Sequence, residues 1–147
     1  MSEKPKRKPK EFGKASVDFV APLSLADCVL RIRDMKSLPT GFMKPGFDPS
    51  YEKAERGIYS FKIKCTHYDS RSHQEISNVT LEGYLQKIDV ASTIVVAKTH
   101  VSIMAKIGMG VMAIFVWPIS LLYLGTIWAD NRALTTLIHR VMSDDLL

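Results

Sequence analysis

Cysteine is the first scarcity, with Cys28 and Cys65 the only thiols in 147 residues. Two cysteines so far apart make neither a disulfide framework nor a zinc ribbon, so both are expected as small buried residues in a reducing compartment. Phosphate-cradling glycine loops are missing too, since Gly108 and Gly110 stand in an apolar run with no Lys-Ser/Thr after them. Neither a G-x-S-x-G elbow nor an H-E-x-x-H pair occurs, which removes two common hydrolase signatures. Asp18, Glu75 and Glu82 fall on solvent-facing strand positions, where a carboxylate reads as surface charge and not as half of an acid–base pair. The spacing Cys65-x-His67-x5-His73 matches no standard zinc pattern, and a fourth ligand would have to be Cys28 or His100. No catalytic residue, cofactor site or metal ligand is therefore expected, and the chain reads as a non-enzyme. The N-terminus lacks an apolar segment behind its basic run, so no cleavable signal peptide is expected, and Ser2 in place of Gly excludes the myristoylation pattern.

What the chain does have is one long uncharged stretch, Ile107 to Ala129, bounded by Lys106 and Asp130. As a helix it would cover roughly 33 Å, against a hydrocarbon core of about 30 Å. Residues 105–129 are accordingly predicted to form a transmembrane segment carrying Ile107, Phe115, Trp117, Pro118, Leu121, Tyr123 and Trp128. Tyr123 and Trp128 sit where an aromatic belt belongs, and Lys106 can snorkel at the other end. Pro118 leaves a second path open, a re-entrant hairpin with both ends on one side. Of the basic residues only Arg132 and Arg140 follow the stretch, against Asp130, Asp144 and Asp145, so the positive excess of the +5 chain lies N-terminal to it. The positive-inside tendency then places the N-terminal domain in the cytoplasm and makes the protein an integral membrane one.

The remainder reads in order. Residues 1–14 form a Lys/Pro-rich tail too polar to fold, whose Lys4, Lys6, Arg7, Lys8 and Lys10 suit anionic lipid headgroups. The run KPKRKPK would also pass a nucleic-acid pattern, but such runs are common by chance and nucleic acid is not expected as a partner. Residues 15–104 alternate or repeat as a small α+β domain. Its first strand, Ala15 to Ala21, ends at Pro22, and Ser24 then caps an amphipathic helix over Leu25 to Lys36. The strand–APLS–helix opening, ending in RIRDM, loosely resembles the start of helix-grip (START-like) lipid-binding domains; the likeness is confined to that opening, has no distinctive motif and assigns no family. Ser37 to Ser50 holds Pro39, Gly41, Pro45, Gly46 and Pro49 and is predicted as an apolar loop, with one helical turn possible over Tyr51 to Arg56. Strands follow over Ile58 to Tyr68, Glu75 to Ile88 and Ser92 to Ile103, an antiparallel meander.

The expected fold is thus α+β, a small antiparallel β-α-β-β-β sheet with one packed helix, then the span, then a short amphipathic helix within residues 130–147 capped by Asp130 or Asn131. On that last helix Leu134, Leu137, Ile138 and Val141 form an apolar stripe suited to a partner or an interface, and folding back onto the domain is the alternative. The expected role is a membrane-anchored accessory subunit that binds membrane lipid and other membrane-protein subunits. A lipid or small apolar ligand carrier, with its pocket between helix 25–36 and the sheet, is the alternative.

Overall fold

The structure is a computed structural model and describes residues 15–38, 45–53, 57–69 and 74–143. Five strands form one antiparallel sheet in the order β1-β5-β4-β3-β2. They are β1 (Val17–Ala21), β2 (Gly46–Lys53), β3 (Ile58–Asp69), β4 (Gln74–Lys87) and β5 (Thr93–Val101). Between β1 and β2 lies helix α1 (Leu25–Asp34), followed by a 3-10 turn over Met35–Ser37. After β5 come α2 (Ile103–Phe115) and α3 (Trp117–Met142). The chain enters at one sheet edge and crosses over α1 to the opposite edge. It then meanders back through β2, β3 and β4 until β5 pairs with β1.

Alternation sets the two faces. Phe61, Ile63 and Cys65 on β3, with Val79, Leu81 and Leu85 on β4, point inward and are buried. Lys62 and Glu82 oppose each other on the outer face and pair at 2.6 Å. Both α1 and the second half of α3 cover the inner face, giving two layers around one core. Ser24 caps α1 by accepting a hydrogen bond from the Asp27 N–H, as the sequence predicts. Cys28 and Ile32 follow on its buried face, and Met35 extends that face into the 3-10 turn. Thr93, buried at the start of β5, donates to the Leu23 carbonyl and so pins the entry of α1 to the sheet.

Three expectations need correction. The predicted loop before Ser50 contains strand β2, and Tyr51 to Lys53 continue that strand and form no helical turn. Pro49 is tolerated there because β2 is an edge strand, so its missing N–H costs no ladder bond on the open side. Among the described residues no helix is long and apolar enough to cross a membrane, which overturns the single-pass span and with it the integral membrane assignment. The apolar stretch is not one helix. At Val116 the backbone leaves the helix (φ −144°, ψ 69°), and Trp117-Pro118 open a new one. Proline cannot sit inside a helix without losing a hydrogen bond and clashing one turn back, here at Ile114, whereas it is at home in a helix's first turn. Hydrophobicity counted along the chain runs through that break unaware of it. Lastly, the separate C-terminal helix does not exist. Asp130 and Asn131 cap nothing, because α3 runs through them without interruption to Met142.

The predicted stripe is real, and the fold-back is what it serves. Leu134, Ile138 and Val141 are buried against the chain's own core, and Leu137 packs at its margin. Arg132, Thr136, His139 and Arg140 lie exposed opposite, as the spacing predicts. The end of α3 is tied down by Arg31, whose guanidinium donates to the carbonyls of Val141 (2.9 Å) and Ser143 (3.2 Å). A cation on the last carbonyls of a helix also suits the negative end of its dipole. The basic tail and its five candidate headgroup ligands lie outside the described residues, as does His73.

Candidate functional site

α2 leaves the sheet at a fixed point. A register shift on the β3–β4 ladder sets Asn78 out of the pairing, and its carbonyl accepts the Ser102 N–H at 2.8 Å. Ser102 then caps α2, its hydroxyl accepting from the Ala105 N–H at 3.1 Å. The return is anchored at the same place, where the Tyr123 hydroxyl donates to Asn78 Oδ1 at 3.4 Å. Residues 102 and 123 therefore both meet Asn78, and the chain between them is a helical hairpin turning at Val116.

That hairpin is apolar and uncovered. Every residue from 111 to 119 is exposed, so the end of α2 and the first three residues of α3 are uncovered. Phe115 at 79 % and Trp117 at 69 % lie at the turn. Ile107, Pro118, Leu121 and Trp128 are likewise exposed, while Tyr123 packs at the edge of the core. The residues predicted to span a membrane are thus brought together, but as the outside of a hairpin. The Val116 N–H reaches the Met112 carbonyl, the Val116 carbonyl accepts from Ile119 and Ser120, and the Ser120 hydroxyl donates to the Trp117 carbonyl. Near the base the Arg132 guanidinium lies 5.4 Å over the Trp128 ring.

Beneath the hairpin the inner face of the sheet holds a polar cluster that joins Cys65 and His67, weighed and set aside in the sequence, to Asp130, which sequence reasoning missed. Cys65 and His67, two apart on β3, share the inner face, and Asp130 descends on them from α3. His67 Nε2 lies 2.8 and 2.9 Å from the two carboxylate oxygens of Asp130. Burial pushes the Cys65 thiol up to about 12, reinforced by the Asp130 carboxylate, which also holds the thiol proton in a hydrogen bond. A signal for this existed in the sequence. Asp130 stands four residues before Leu134, on the apolar stripe, and a carboxylate on a buried helix face requires a partner. Elsewhere an open groove of about 530 Å³ at the β2–β4 side is lined by Tyr51, Phe61 and Gly83, but its charged wall is taken up by the Lys62–Glu82 pair. No family model, no curated protein and no solved structure matches this chain.

Proposed function

We propose that this protein is a non-catalytic interaction module that engages a lipid surface from one side, sinking the turn of the α2–α3 hairpin into a single leaflet while the sheet layer stays outside. One observation carries the reading, the exposure of every residue from 111 to 119. A protein partner covers the face of a helix it packs against, whereas hydrocarbon surrounds it. The reach agrees. From Lys106 to Val116 α2 rises roughly 15 Å, about half of a hydrocarbon core of about 30 Å. Burying Ile114, Phe115, Trp117 and Leu122 would contribute about 1.5–3 kcal/mol each. Trp128, about 18 Å along α3 from the turn, then falls near the headgroup level, where amphipathic rings are favoured. Lys4, Lys6, Arg7, Lys8 and Lys10 would each add about 1 kcal/mol of attraction to an anionic surface. Held this way, the outer face of the sheet remains free for other subunits of an assembly.

The carrier reading finds less support. Cys28, Ile32, Leu81, Leu134 and Ile138, which meet between the helices and the sheet, are at most 1 % exposed, so no water-sized void adjoins them. Flotation of the purified chain with phosphatidylcholine vesicles, with and without phosphatidylserine, tests the proposal. The wild type should float with both and more completely with the anionic ones. The pair Phe115→Asp and Trp117→Asp should stay at the bottom with an unchanged circular dichroism spectrum. A chain that ignores vesicles but forms dimers abolished by the same pair would defeat it.

A further inference from the structure

Cys65, His67 and Asp130 bring one thiol, one imidazole and one carboxylate together, with their donor atoms all within 4.8 Å of one another. We propose that these three side chains form a binding site for a zinc-class divalent metal ion. The donor set points to the class. Sulfur and imidazole nitrogen select zinc, cobalt or their neighbours over calcium and magnesium, which require oxygen. The spacing fits with small adjustments. A tetrahedral zinc with bonds of about 2.0–2.3 Å holds its ligands roughly 3.3–3.7 Å apart. His67 and Asp130 would separate slightly from their 2.8 Å contact, with all three donors already within 4.8 Å of one another. Two of the donors are fixed on the longest ladder of the sheet and the third on a helix whose next turns are buried, so the site is held by rigid elements.

The charges also suit an ion. A thiolate and a carboxylate together cancel a divalent cation, leaving a neutral complex in a place where an unbalanced charge is costly. Binding releases the Cys65 thiol proton to solvent, along with any proton shared between His67 and Asp130. Entry is from the His67 side, where that side chain is 40 % exposed against 7 % for Asp130. With three protein donors among the described residues, the fourth position of a tetrahedral ion takes a water or a further ligand.

The test needs no lipid, so it stands apart from the docking reading. The full chain, stripped with a chelator, is titrated with cobalt(II) and then challenged with zinc. One cobalt per chain should bind with a near-ultraviolet sulfur-to-cobalt charge-transfer band, and zinc should abolish it. Cys65→Ser should remove the band, and His67→Ala should weaken binding by at least the roughly 10–100-fold that loss of an outer-shell partner costs. His67 is partly exposed, so its variants should keep the fold, which circular dichroism verifies. Absence of stoichiometric uptake overturns the site, as does uptake indifferent to His67→Ala. A band that survives Cys65→Ser and vanishes in Cys28→Ser overturns it equally.

Discussion

Leu122 and Leu134 belong to the same helix and differ only in place: the first is 73 % exposed on the hairpin, the second 1 % exposed beneath it. Truncating each to alanine separates the two halves of α3. For Leu134→Ala the three lost carbons account for roughly 2.4 kcal/mol at about 0.8 kcal/mol each. The cavity left against a sheet that cannot collapse adds about 1 kcal/mol more, for a total near 3–4 kcal/mol. Leu122→Ala exposes no core and should fall within about 0.5 kcal/mol of zero. Urea unfolding followed by circular dichroism reads both, with the midpoint shifting at constant slope. In a domain of this size the buried truncation should lower Tm by roughly 10 °C. Equal costs for the two variants, or a neutral Leu134→Ala, would refute the claim that α3 is hairpin on one side of Ile127 and core on the other. In flotation the ranking should invert, with Leu122→Ala the one that weakens vesicle binding.

Other perturbations have equally defined outcomes. Arg31→Met strips the donors from the Val141 and Ser143 carbonyls and should cost about 1–3 kcal/mol by the same urea assay. Gly83→Ala should destabilise by at least about 1–3 kcal/mol, because a Cβ there meets the Val96 carbonyl oxygen and the Ala97 side chain with no flexible group to yield. Alkaline pH should destabilise the metal-free chain. Burial raises both thiols above their ordinary value, Cys65 to about 12. The stability they confer is complete below about pH 9 and is lost as pH rises beyond it, while the unfolded thiols ionise and the folded ones do not. From about pH 10 to 11 the slope attributable to Cys65 nears its one-proton limit of about 1.4 kcal/mol per pH unit, and Cys65→Ala should remove it.

Much of the domain is visible in residue order, because its signals are local. Tyr59, Phe61, Ile63 and Cys65 alternate and make β3; Ser24 and Asp27 announce α1; Leu134, Ile138 and Val141 step around one face of α3. What escapes has non-local causes. β2 carries Gly46 and Pro49 like a loop and is a strand only because β3 offers it an edge. The apolar run looks like a membrane span because hydropathy is additive along a chain, whereas the backbone break that Pro118 imposes is not. The His67–Asp130 contact joins residues 63 apart and depends on the return of α3, which no spacing rule encodes. Its one local trace is an acid on an apolar stripe, at a position that equally suits a helix cap.

The depth of the two tryptophans in a bilayer tests the central claim most directly. With Trp128→Phe only the ring at the turn fluoresces, and with Trp117→Phe only the one near the base. Vesicles whose lipids are brominated at defined chain positions then quench each ring according to its depth. One-sided docking predicts a blue shift for Trp117 and strongest quenching from bromines deep in the chains, with Trp128 quenched only from the headgroup end. Trp128 as deep as Trp117, or a Trp117 emission unchanged by any vesicle, would contradict it.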